Sequence, residues 1–192
     1  VEKPTYEDIL ASLESEIQSL NRPVILLGHS FGAVYAAELA MRAILNVRGI
    51  VFLSAPLTRE NWIGVEEAYS QNLTPELSSA EKKYGVEPSD ATLKALLSAY
   101  KELFFLHTDI GSGAKALTES QVSSETFKSI NPAVIVTGEF ESRIMELSIP
   151  KISIGGSKDL LVRESFQKED ASRLRCEYKS IKNAAHFVAM SH

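Results

Sequence analysis

Apolar residues recur at helical spacing near the start of the chain, at Ile9, Leu10, Leu13, Ile17 and Leu20, and then run together without a break at Val24, Ile25, Leu26 and Leu27. The first pattern predicts an amphipathic helix covering one face of a sheet, and the second a strand buried on both faces. Thr5 with Asp8 three residues on has the form of a capping box that starts the helix, and Pro23 stops it before the strand. An Ala-rich stretch over residues 33–40 predicts a closely packed second helix. A second apolar run over residues 47–53, ended by Pro56, predicts a parallel strand. The right-handed crossover between the two strands makes a βαβ unit.

From about Leu57 to Leu147 this strand–helix rhythm stops. The pattern there is helical: residues 80–84 ending at Gly85, then residues 90–100 running into 103–106, with Pro88, Ser89 and Asp90 as a helix start. This stretch carries most of the chain's aromatics, among them Trp62, Tyr69, Tyr84, Tyr100, Phe104, Phe105, Phe127 and Phe140. The rhythm then resumes with a strand at residues 151–154, a helix at about 163–173 and an alternating strand at 175–181 of the kind found at a sheet edge. Cys176, the single cysteine, falls in that last strand and reads as a small buried side chain with no disulfide partner.

Between the first strand and its helix lies Gly28-His29-Ser30-Phe31-Gly32, which fits G-x-S-x-G. The pattern has a mechanical reason. A sharp strand-to-helix turn holds the serine in strained dihedrals with its hydroxyl exposed, and side chains at the two flanking glycine positions are expected to collide. The following helix points N–H groups at whatever sits over Ser30, with the Phe31 N–H placed to bind a developing oxyanion.

Two later stretches make the comparison specific. Residues 149–159, ending Gly155-Gly156-Ser157-Lys158-Asp159, and Asn183-Ala184-Ala185-His186-Phe187 together with the elbow give a chain that resembles the α/β-hydrolase family. The resemblance implies a mostly parallel sheet flanked by helices, with a helical cap at 57–147 inserted into a core formed by 1–56 and 148–192. It also implies a catalytic triad of Ser30, Asp159 and His186, in the chain order this fold uses. A serine hydroxyl is a weak nucleophile at neutral pH, so Ser30 needs His186 as base, and His186 needs Asp159 to fix its tautomer.

Other readings of these residues stay open. Ser30 also fits a turn serine in an inactive relative, and Asp159 also fits a cap for the next helix, with Glu164 or Asp170 as the acid instead. His186 has few rivals: His107 lies in the cap, His192 is terminal, and His29, beside the serine, packs under the elbow or touches substrate. By resemblance, strands should precede the first helix. Their absence predicts an incomplete sheet with an exposed apolar edge, to be completed by a preceding segment or a second chain, which would also supply the second oxyanion donor.

The implied function is a serine hydrolase that cleaves a carboxylic ester or related acyl bond through an acyl-serine, with a small-molecule substrate in an apolar cap pocket. One alternative is a proline-iminopeptidase-like aminopeptidase, for which Glu102, Asp109, Glu139 and Glu141 are candidate holders of the substrate's amino group. Its usual Gly before and Trp after the serine are replaced here by His29 and Phe31. Another is a catalytically inactive ligand-binding or interaction fragment. Composition narrows the partners further. A net charge of -5 with scattered Lys and Arg speaks against nucleic acid and anionic membranes. No apolar run approaches a membrane span, no leader is visible, and a cytoplasmic location is the expectation. No metal and no cofactor is expected, since the histidines and the cysteine do not cluster.

Overall fold

Thr5 caps the first helix as expected: its hydroxyl accepts the Asp8 N–H, and the Asp8 carboxylate accepts the Thr5 N–H at 2.8 Å. The computed structural model describes residues 4–42, 44–130 and 135–190. In it α1 (Tyr6–Ser19) leads through Pro23 into β1 (Val24–His29), α2 (Gly32–Met41) and β2 (Val47–Leu53). Among the described residues, seven helices follow before the sheet resumes. They are α3 (Arg59–Gln71), α4 (Pro75–Val86), α5 (Asp90–Ala99), α6 (Lys101–Phe104), α7 (Ile110–Glu119), α8 (Ser124–Ser129) and α9 (Gly138–Glu146). The chain then returns as β3 (Lys151–Gly156), α10 (Glu164–Arg173) and β4 (Glu177–Ile181), with a short 3-10 turn at Val188–Met190.

Among the described residues the four strands are all parallel and stand in the order β1-β2-β3-β4. This is an α/β-hydrolase arrangement with a partial sheet, and β1 forms one edge of it. The consequence shows in β1 itself. Val24 and Leu26 pack against the main core, whereas Ile25 and Leu27 are 68% and 62% exposed. The expectation of a strand buried on both faces is therefore corrected: an unbroken apolar run records a side chain's preference, and here nothing covers the second face among the described residues.

The covered face carries the main core. Ala33, Val34 and Ala37 of α2 are fully buried against Ile50 and Phe52 of β2, and Leu10 of α1 joins them. Phe140 and Ile144 of α9 belong to the same cluster. A second, smaller cluster of Leu77, Leu96, Ala99 and Leu103 holds α4, α5 and α6 together. Thr58, Thr74, Ser89, Ser123 and Thr137 each cap the helix that follows, taking one of the first-turn N–H groups that a helix cannot satisfy itself.

Several boundaries differ from expectation. α4 starts at Pro75 and runs through Gly85, because Thr74 and Pro75 supply a start signal stronger than the glycine's stop. The stretch over 90–106 breaks into α5 and α6 at Tyr100. Cys176 lies just before β4, packed against the main core, where burial pushes its thiol up to about 11. Among the described residues, no helix is long and apolar enough to cross a membrane.

Candidate active site

The chain turns from β1 into α2 within two residues, and the geometry there is strained. Ser30 has φ 52°, in the left-handed region that a non-glycine residue enters only when its surroundings hold it there. Its N–H is fixed to the Leu53 carbonyl at 2.8 Å, across the end of the neighbouring strand. A Cβ at Gly28 would lie 2.4 Å from both the Ala33 Cα and the Gly32 carbonyl oxygen, so the elbow needs glycine at that position. Gly32 is different. A Cβ there would meet nothing within 4 Å and its φ is not positive, so the collision expected at the second glycine is not found. Phe31 is the N-cap residue of α2, with no side chain capping it, which leaves its N–H beside Ser30 at the positive end of the helix.

The acid and the histidine are positioned by hydrogen bonds. β3 ends at Gly156, where a Cβ would fall 2.3 Å from the Ala184 carbonyl and 2.4 Å from that of Ala185. Glycine here lets the two loops touch. The Lys158 N–H then donates to the Ala184 carbonyl at 2.8 Å, and the Asn183 N–H to the Ser157 hydroxyl at 2.9 Å. Within this frame Asp159 Oδ1 accepts the N–H groups of Leu161 (3.0 Å) and Val162 (2.8 Å), while Oδ2 lies 3.0 Å from His186 Nδ1. Both residues are buried. Since a carboxylate only accepts, Nδ1 carries the imidazole proton and Nε2 is left with a free lone pair, the form a general base requires.

The rival acids lie elsewhere. Glu164 pairs with Lys168 one turn along α10, and Asp170 binds the chain where β2 runs into α3. His107 is exposed, and His192 lies outside the described residues. His29 packs against the loop that carries His186, its ring 4.8 Å from that of His186 and 4.5 Å from that of Phe187. Burial, reinforced by the neighbouring His186, pushes its imidazole down to about 4.

Ser30 opens onto a cavity of about 760 Å³. Trp62, Tyr69, Tyr100, Phe104 and Phe127 line it, together with aliphatic residues such as Leu96, Leu97, Val136 and Leu161. Tyr84, Phe105 and Phe140 do not line it, and Phe105 and Phe140 are buried. Phe104 links the cavity to the histidine, its ring stacked on His186 at 5.5 Å and 22°. No hydrogen bond joins the Ser30 hydroxyl to His186 among the described residues, a common condition for catalytic groups without substrate.

None of Glu102, Asp109, Glu139 and Glu141 lines the cavity. Glu141 is buried instead, paired with Arg173 at 3.0 Å and accepting the Arg59 N–H at 3.1 Å. The charged lining residues are Arg59, Glu66 and Glu81, and Glu81 accepts a 2.5 Å bond from the Tyr69 hydroxyl. Sequence reasoning missed these three. They come from two helices that meet only through tertiary packing, and no local motif marks them.

The chain belongs to the alpha/beta hydrolase family, whose profile matches residues 2–192. Among solved structures it is similar to an esterase from Exiguobacterium antarcticum, at 15% identity and a TM-score of 0.67 over 97% of this chain and 68% of that one. A bromoperoxidase from Bacillus anthracis aligns at 17% identity and TM-score 0.67, over 96% of this chain and 68% of the other. A monoacylglycerol lipase from Paleococcus ferrophilus aligns at 15% identity and TM-score 0.59, over 96% and 68%. At these identities the likeness is one of fold, and the chain spans about two-thirds of each relative's length. No curated protein matches it.

Proposed function

We propose that this protein is a serine hydrolase that cleaves a carboxylic ester with an apolar acyl or alcohol group, using Ser30 as nucleophile, His186 as base and Asp159 as the acid that orients it. The observation that carries this reading is the buried Asp159–His186 pair, whose geometry favours the imidazole proton on Nδ1 and an unprotonated Nε2, with the His186 ring stacked on Phe104 of the cavity onto which Ser30 opens.

The steps follow from that arrangement. Ser30 Oγ attacks the ester carbonyl carbon while His186 Nε2 takes the hydroxyl proton. Negative charge then collects on the carbonyl oxygen, where the Phe31 N–H and the start of α2 favour it. Collapse expels the alcohol, which takes the proton from His186 Nε2 and leaves an acyl-serine. A water molecule, deprotonated by the same nitrogen, attacks the acyl carbon; the acyl–oxygen bond then breaks, Ser30 Oγ takes that proton back from His186 Nε2, and the carboxylic acid leaves. Asp159 stays ionised throughout and stabilises the imidazolium. A further strand on the free edge of β1, from the same polypeptide or a second chain, would complete the sheet and bring a second oxyanion donor.

Glu102, Asp109, Glu139 and Glu141 are absent from the cavity wall, which is mostly apolar and suits an ester, while Glu66 and Glu81 lie on it and keep a prolyl amide as the second substrate to test. Turnover of short and medium p-nitrophenyl esters, compared with proline β-naphthylamide and with the Ser30→Ala variant, tests the reading. Ester cleavage that Ser30→Ala lowers by at least about 1000-fold supports it. Equal behaviour of the two proteins points to a ligand-binding protein instead.

A further inference from the structure

One peptide group in the candidate site is held at both ends. The carbonyl of His186 accepts a hydrogen bond from His29 Nε2 at 2.9 Å, and the N–H of Phe187, the other half of the same peptide, donates to the Phe104 carbonyl at 3.2 Å. The elbow therefore grips one side of this peptide and α6 the other. A carbonyl can only accept, so His29 is the tautomer with its proton on Nε2. Its ring packs against those of both His186 and Phe187, at 4.8 Å and 4.5 Å, which restricts its freedom to turn. Burial depresses its basicity far enough that it stays neutral near pH 7 and keeps that single donor in place.

We infer that His29 is a positioning residue: by tethering the His186 carbonyl to the nucleophile elbow, it sets the distance and angle at which the His186 ring faces Ser30. The elbow then carries its own ruler. The residue next to the nucleophile in the chain fixes the base that serves it, so Ser30 and His186 move together rather than as two independent loops. The kinetic consequence rests on the serine-hydrolase reading, but the tether itself does not.

The test uses two variants of the full chain. His29→Phe keeps an aromatic ring and removes the donor. His29→Gln places an amide N–H at the same number of bonds from the backbone. His29→Phe is expected to lower kcat for a p-nitrophenyl ester by about 10- to 100-fold with KM unchanged, as outer partners of a catalytic group commonly do. The His186 Nδ1–H signal in the proton NMR spectrum should shift or broaden with it, and His29→Gln should restore most of both. Wild-type kcat in His29→Phe would overturn the inference, as would equal losses in the two folded variants.

Should wild type and Ser30→Ala both fail to turn over esters, the hydrolase reading falls while the tether stays testable. Nitrogen NMR of wild-type protein showing His29 protonated at Nε2, with a slowly exchanging hydrogen, upholds it. A bare Nε2 overturns it. The same spectrum decides the matter if His29→Phe does not fold.

Discussion

Two aspartates, each 5% exposed and each saturated with hydrogen bonds, sit at opposite ends of the strand–helix unit that closes the sheet. Asp159, in the loop after β3, accepts two backbone N–H groups and meets an imidazole. Asp170, on α10, accepts the Leu57 N–H (3.0 Å), the Thr58 hydroxyl (2.6 Å) and the Asn61 amide (2.7 Å), and so staples the helix to the point where α3 begins. Burial and satisfied lone pairs are common to both, so neither feature marks function. What differs is the partner. Asp159 faces a group that can change its proton count beside a cavity, whereas Asp170 faces groups that cannot.

Asp159→Asn should break the contrast most sharply. An amide N–H in place of Oδ2 forces the His186 proton onto Nε2, which removes the base, and kcat is expected to fall by about 10,000-fold with little change in melting temperature. Kinetics and a thermal melt on the same sample check both halves. Asp170→Ala should do the reverse. It strands a buried N–H, a hydroxyl and an amide, at a cost of about 3 kcal/mol, read as a drop in melting temperature of about 5–10 °C, while the folded fraction keeps its kcat.

The smallest effect is on pH. Burial holds the Asp170 carboxyl above its ordinary value despite the three donors. The folded protein therefore keeps that proton to higher pH than the unfolded chain does, and stability contributed by the protonated form is lost as pH rises through the carboxylate range. Relative to Asp170→Asn, the wild-type protein should become less stable over that rise in denaturant titrations. A flat difference between the two would remove the desolvation argument.

Sequence carried the local part of this picture. The capping box at Thr5 and Asp8 and the strand leading to Asp159 depend on residues within a few positions of one another and are found as expected, and the turn at Ser30 has the strained φ its pattern predicts, though Gly32 meets no collision. It failed where a neighbour far along the chain decides. The run at Val24 to Leu27 reads as doubly buried, yet Ile25 and Leu27 face outward because burial needs a partner that no local pattern contains. The Glu66 and Glu81 carboxylates at the cavity, and the grip of His29 on the His186 peptide, are likewise products of tertiary contact. The choice between Asp159 and Asp170 could not be made from spacing, since both follow a strand or lie on the helix after it. Only the imidazole's position separates them.

The account depends on Ser30 being an activated nucleophile, and labelling with a fluorophosphonate at neutral pH tests this most directly. Intact-mass and peptide mapping should find one phosphonyl group, on Ser30, with the rate of labelling falling by about 1000-fold or more in His186→Gln. An unlabelled protein, a label on another residue, or an equal rate in His186→Gln would contradict it.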